Sequence, residues 1–258
     1  MSRRTLFAAL ALTVACATLR APTPVAVHIA GDSTAAAKRP EKRPETGWGE
    51  ALQQHFDATR VRVVNHAMNG RSTRTFISEG RWQALVDSLR PGDWVLIQFG
   101  HNDESKEKVD RYTPPADYQR NLARFVADVR AKRANPALMT PVRRRKFDAS
   151  GALVDTHGEY PELVRAVATA ERVPLLDLHE ATARLLRERG VDSSRALFLQ
   201  LAPGAHPNYP AGIEDNTHFS PRGAALVAQL VADEMRARML GLEYRLRRDT
   251  LSARAILR

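Results

Sequence analysis

The chain has 258 residues, enough for one domain with a well-buried core. Its hydrophobic content of 43% is ordinary for a globular protein and excludes a largely disordered one. The net charge of +10 rests on 33 Arg and only 6 Lys. It suits a polyanionic partner, or simply an Arg- and Ala-rich genome. No zinc knuckle, RNA-recognition signature or basic-helix dimer pattern accompanies it, so nucleic acid is not an expected partner.

Residues 1–20 read as a secretory signal, with Arg3 and Arg4 ahead of the uncharged run Thr5 to Leu19 and small residues at Ala15-Cys16-Ala17. That run is too short to span a membrane. Cys16 is the only cysteine. It is either removed with the signal or becomes the lipid-bearing N-terminus of a lipoprotein, although Thr13 stands where leucine is usual. The mature protein is therefore expected to be secreted or periplasmic, possessing no thiol and no disulfide.

A single domain is expected over residues 21–241. Val25 to Ala30 reads as a first strand, Trp48 to Thr59 as a helix and Val61 to His66 as a second strand. Residues 37–46, charged and with two prolines, read as a surface loop. Trp82 to Leu89 is a short helix, and Trp94 to Phe99 is a third strand, apolar apart from Gln98. Glu104 to Pro115 is a second surface loop. Asp117 to Arg133 places Tyr118, Leu122, Phe125, Val126 and Val129 on one helical stripe. Ala137 to Val142 is a fourth strand, Pro161 to Arg172 a helix, Val173 to Leu178 a fifth strand, and Ala181 to Arg189 a helix stopped by Gly190. Ser220 and Pro221 open a last helix running to about Leu240. The basic tail 242–258 closes the chain. This alternation of strands and helices argues for a five-stranded parallel sheet covered on both faces.

Chemistry-bearing residues sit where such sheets bind ligands, beyond the carboxyl ends of the strands. Gly31-Asp32-Ser33-Thr34 follows the first strand, Asn69-Gly70-Arg71-Ser72 the second, and Gly100-His101-Asn102-Asp103 the third. Asp215-Asn216-Thr217-His218 precedes the last helix, in what reads as a loop. Ser33, His218 and Asp215 supply a nucleophile, a base and an orienting acid. No Gly-x-Ser-x-Gly occurs, so the scaffold is not the nucleophile elbow of the α/β-hydrolases. Asp32 is better read as a turn carboxylate than as a catalytic one. His66, His157 and His206 have no metal-ligand spacing, and His28 reads as a satisfied strand residue.

The four blocks together resemble the SGNH hydrolases, the family of GDSL-type esterases. Gly47-Trp48-Gly49, Gly70-Arg71-Ser72-Thr73-Arg74, Phe76, Thr140-Pro141-Val142-Arg143-Arg144 and Asp215-Asn216-Thr217-His218-Phe219-Ser220 are similar to the rhamnogalacturonan acetylesterase branch. The resemblance covers about Val25 to Leu240. It implies a flavodoxin-like three-layer α/β/α fold with five parallel strands. It also implies a serine esterase whose substrate is an acetylated plant polysaccharide; a monomer is expected. Under it, Ser33 is the nucleophile, His218 the base and Asp215 its orienter, with the Ser33 and Gly70 N–H groups and the Asn102 amide as oxyanion hole. No metal or cofactor is implied, because triad and oxyanion hole suffice. Arg74 is a candidate for a galacturonate carboxylate, and His101 for the pocket wall. The charged stretch Lys38 to Arg43 departs from the family pattern. Two other readings stay open: the same triad acting on acetylated xylan, a lipid or a thioester, and a silent carbohydrate-binding protein on the same scaffold.

Overall fold

Residues 24–238 and 242 are described by the structure, a computed structural model. The expected signal segment, the candidate lipid site Cys16 and the basic tail beyond Leu242 lie outside the described residues. Among those described, no helix is long and apolar enough to cross a membrane.

Five strands form one sheet: β1 (Val25–Gly31), β2 (Val61–Asn65), β3 (Trp94–Gln98), β4 (Asn135–Met139) and β5 (Leu175–Leu176). Their order is β2-β1-β3-β4-β5, all parallel. This is the flavodoxin-like order, whose switch point lies between β1 and β3. β1, β3 and β4 are largely apolar on both sides because both sides are covered, whereas the edge strand β2 is mostly half-exposed. Val27, Ile29, Leu96, Ala137 and Met139 point into one core; Ala30, Val95, Ile97 and Leu138 point into the other.

Among the described residues, seven helices make the outer layers. On the first face lie α1 (Trp48–Ala51), α6 (Leu178–Ser193) and α7 (Pro221–Ala237). On the second lie α2 (Thr73–Ser78), α3 (Arg81–Ser88), α4 (Pro115–Ala131) and α5 (Tyr160–Glu171). The predicted stripe on α4 is buried at all five positions. Ser220 caps α7 by accepting from the Gly223 N–H at 3.1 Å, with Pro221 in the first turn. Leu242, the first residue of the expected tail, is buried in the first core. Trp48 and Trp82 are both core residues. The Trp48 indole donates to Gln98 at 2.9 Å, which accounts for the polar residue in β3. Trp82 stacks on Phe125 and donates to Asp128.

Several elements differ from expectation, each for a local reason. The helix expected over Trp48 to Thr59 is α1 followed by a 3-10 turn, Leu52–His55. There Gln53 pairs with the open edge of β2, accepting from the Val63 N–H and donating to the Val61 carbonyl. The fifth strand shrinks to two residues. Pro174 has no N–H to give the ladder, and Asp177 already caps α6 by accepting from the Glu180 N–H. Gly190 kinks α6 at φ 67° and ψ −173° and the helix resumes to Ser193. A hairpin that the sequence pattern hides, β6 (Phe198–Leu201) with β7 (Ile213–Phe219), sits beside the main sheet. Asp215 and His218 therefore lie on a strand, not in a free loop. The segment 37–46 is not simply a surface loop either, since Lys38 and Glu45 are buried in it.

Candidate active site

Asp32 builds the turn that presents Ser33. Its Oδ1 accepts from the Thr34 N–H at 2.9 Å and the Thr34 hydroxyl at 2.8 Å. Its carbonyl accepts from the Ala35 and Ala36 N–H groups, winding one helical turn directly after β1. Gly31 is required there, because a Cβ would meet the Gln98 carbonyl at 2.9 Å. Asp32 is fully buried, and burial alone would favour its neutral form. The hydrogen bonds from His101 and Thr34 outweigh this and hold its carboxyl at about 2. Asp32 is thus the turn carboxylate that the sequence suggested.

The opposite wall comes from β7. Between the pairs Gln200↔Glu214 and Phe198↔Phe219, the four residues Asp215 to His218 face the single residue Leu199. This bulge carries Asp215 and His218. One Asp215 oxygen, Oδ1, accepts from the Thr217 and His218 N–H groups at 2.7 and 2.9 Å and folds the bulge. The other, Oδ2, lies 2.6 Å from His218 Nδ1. His218 Nε2 in turn lies 2.9 Å from Ser33 Oγ. Burial opposes the Asp215 charge, but these bonds from His218 and Thr217 leave its carboxyl below the usual range. It is ionised at neutral pH, and His218 therefore presents an Nδ1–H to it and a lone pair on Nε2 to Ser33. Residues 185 positions apart in the chain meet at hydrogen-bonding distance.

Ser33, Gly70, Asn102 and His218 line one cleft of about 410 Å³ at the carboxyl ends of the strands. Gly70 has φ +75°, a conformation that favours glycine. Among the described residues, neither the Ser33 N–H nor the Gly70 N–H has a protein acceptor. Asn102 spends one amide hydrogen on the Arg71 carbonyl at 3.0 Å, which fixes the side chain and leaves its second hydrogen open. Three donors therefore converge beside the serine. A larger groove, lined by Arg195, Gln200, Pro203 and Glu214, lies against the hairpin and contains none of these groups.

The two expected substrate contacts divide. His101 lines the cleft, buried, with Nδ1 3.2 Å from Asp32 Oδ2. Burial keeps its pKa low despite that carboxylate, so it is neutral and donates from Nδ1. Arg74 does not line the cleft; it is exposed on α2 and donates to the Val109 carbonyl at 2.6 Å. The cations that do line it are Lys42, Lys108, Arg111 and Arg144. Arg144 is committed to Glu104 and the His101 carbonyl. Among the described residues Arg111 pairs only with its exposed neighbour Asp110, and its Nη1 stands 3.0 Å from where a Cβ on Gly70 would lie. His101, His157 and His179 touch edge to face, yet among the described residues no three His, Cys, Asp or Glu side chains are placed to hold a metal ion.

Sequence reasoning also missed Lys38 and Glu45. Lys38 Nζ donates to the Ser33 carbonyl, lies 2.9 Å from Asn69 Oδ1 and pairs with Glu45 Oε1 at 2.8 Å. The only signal was the unplaced charged stretch Lys38 to Arg43.

This fold, with a Ser–His–Asp relay beside three converging donors, defines a carboxylic ester hydrolase. The chain belongs to the GDSL-like lipase/acylhydrolase family, which it matches over residues 29–226. It is 44% identical to the Bacillus subtilis rhamnogalacturonan acetylesterase RhgT, across 81% of this chain and 89% of that one. It is 40% identical to a rhamnogalacturonan acetylesterase of Emericella nidulans, across 78% of this chain and 81% of that one. Among solved structures, Bacillus subtilis YxiM matches with a TM-score of 0.72 at 24% identity, over 84% of this chain and 58% of that one. The acetylxylan esterase Axe2 of Geobacillus stearothermophilus matches at 0.59 and 20% identity, over 84% and 96%. At those identities the likeness is one of fold.

Proposed function

We propose that the protein removes O-acetyl groups from rhamnogalacturonan, outside the cytoplasm, through an acetyl-Ser33 intermediate. The observation that carries this reading is the relay from Asp215 through His218 to Ser33 Oγ at 2.6 and 2.9 Å. His218 Nε2 takes the Ser33 proton as Oγ attacks the acetyl carbon. The carbonyl oxygen becomes an oxyanion facing the N–H groups of Ser33 and Gly70 and the Asn102 amide. Collapse expels the sugar hydroxyl, which receives the proton from His218. Water then repeats the sequence on acetyl-Ser33 and releases acetate. Asp215 stays ionised throughout and stabilises the imidazolium.

The substrate class is supported by the names of the relatives and by the charge of the cleft. A galacturonate unit bears a carboxylate on the same ring as its esterified hydroxyls. Lys42, Lys108 and Arg111 line the cleft that holds Ser33 and suit that anion better than a neutral xylan. The test is acetate release from acetylated rhamnogalacturonan, with acetylated xylan alongside and Ser33→Ala as control. Release from the first polymer, lost in the variant, supports the reading. Release from xylan alone would keep the relay and overturn the substrate.

A further inference from the structure

We infer that Lys38 is a positioning residue of this site, setting the register of the oxyanion donors and keeping the Glu45 carboxylate from capturing the His218 proton. The inference rests on the ester-hydrolysing reading of Ser33 and His218.

Lys38 is 6% exposed, rare for a lysine. Its ammonium has three hydrogens and three acceptors: the Ser33 carbonyl, Asn69 Oδ1 and Glu45 Oε1. Two of these belong to the two loops that supply backbone oxyanion donors. Ser33 carries one, and Asn69 immediately precedes the other, Gly70. A single ammonium therefore ties the turn after β1 to the loop after β2. A compact charge with three diverging donors fits this task, and the planar fork of arginine does not. That a chain with 33 Arg and 6 Lys places lysine here agrees with the geometry.

The third acceptor matters for the base. Glu45 Oε1 is 2.8 Å from Lys38 Nζ and 4.0 Å from His218 Nε2. Glu45 is held there by its neighbour Thr46, whose N–H donates to the Phe219 carbonyl, one residue past His218. Glu50 closes the loop from behind, accepting from the Lys38 and Gly47 N–H groups at 3.2 and 3.0 Å. An unneutralised carboxylate at that distance would stabilise the imidazolium and withhold its proton from the leaving alcohol. Other groups around His218 are Asp215 and Tyr209 on the hairpin side and Lys42, His101 and Arg144 across the cleft. Among the described residues, only Lys38 is in ion-pair contact with Glu45 at under 3 Å.

Two effects then separate by variant. Lys38→Met leaves Glu45 unneutralised: the acid limb of kcat/KM should move up by about one pH unit. Glu45→Gln leaves the ammonium unbalanced: the limb should move down by a similar amount. The double variant removes both charges, so its limb should return to the wild-type position. Its kcat should nevertheless stay about tenfold to hundredfold low, because the tie between Ser33 and Asn69 is gone. KM should change little in all three. The experiment measures kcat and KM for p-nitrophenyl acetate across the acid and neutral range, with thermal unfolding of each variant alongside. The double variant holds no unpaired buried charge and covers the case in which Lys38→Met fails to fold. A limb that stays put in Glu45→Gln, or a double variant with wild-type kcat, would overturn the inference while the wild type remains an esterase. A wild type that neither hydrolyses the ester nor reacts at Ser33 with a fluorophosphonate would remove the reading beneath it as well.

Discussion

At the scale of single residues, the proposed chemistry depends on donors held before substrate arrives. Asn102 is fixed by its bond to the Arg71 carbonyl, and that bond contributes only about 1 kcal/mol to stability. Asn102→Ala should therefore leave the fold intact and lower kcat by about a hundredfold to a thousandfold, with KM little changed. Steady-state kinetics on a soluble acetyl ester would show it, and a loss confined to KM would argue against an oxyanion role. The next residue sets a different test. Asp103 is buried, accepting from the Thr73 N–H at 2.9 Å and hydroxyl at 2.6 Å, and so anchors α2 beside the cleft. Burial dominates those bonds and pushes its carboxyl up to about 7, against about 4 in an unfolded chain. Between these values the folded state keeps a proton that the unfolded state releases. The stability this adds is complete below pH 4 or so and is lost as pH rises through about 7, up to roughly 4 kcal/mol in all. Asp103→Asn should flatten the decline of the unfolding midpoint between about pH 5 and pH 8. Parallel pH dependences in variant and wild type would show that the buried proton is absent.

At the scale of elements, legibility followed the number of covered faces. β1, β3 and β4 announce themselves as apolar runs because helices cover both sides, and the stripe on α4 is unambiguous because it buries one face over 17 residues. β7 was not legible: Ile-Glu-Asp-Asn-Thr-His-Phe buries only Phe219 and is held by backbone pairing rather than by an apolar pattern. The residues that meet Ser33 were legible nonetheless, since Asp215 and His218 are a local motif whatever element holds them. Lys38, Glu45 and Arg111 were not, because a charged residue in a loop reads as solvated until the loop is seen to fold onto the cleft. The bulge on β7 has its own fasteners. Asn216 gives its carbonyl to the Arg145 N–H at 2.8 Å, and its Oδ1 accepts from Arg145 Nη1 at 2.9 Å and from Gln200 at 3.1 Å. Asn216→Ala loosens the bulge without touching substrate. It should lower kcat about tenfold or more while KM is retained, as misplacement of a base does. Activity within about twofold of wild type would mean that Asp215 alone shapes the bulge.

At the scale of the whole molecule, the positive charge is not spread evenly with respect to function. Many arginines are paired on the surface, as Arg124 is with Asp128 and Arg195 with Glu214, and such exposed pairs contribute little to stability. The cleft differs. Its mouth gathers Lys42, Lys108, Arg111 and Arg144, against Glu45, which Lys38 already neutralises. A polyuronate sliding across this face meets net positive potential, whereas a small neutral ester enters past it. Arg111 lines the cleft with Nη1 beside Gly70, and among the described residues its guanidinium pairs with the exposed Asp110. Arg111→Met should therefore raise KM for acetylated rhamnogalacturonan about tenfold, the worth of one charge-assisted hydrogen bond, and leave kinetics on p-nitrophenyl acetate unchanged. Added salt should raise the wild-type KM for the polymer and affect the variant less, because screening removes what the substitution has already removed. Equal losses on both substrates would place Arg111 in the architecture of the Gly70 loop instead. An unchanged polymer KM would move the carboxylate to Lys42 or Lys108.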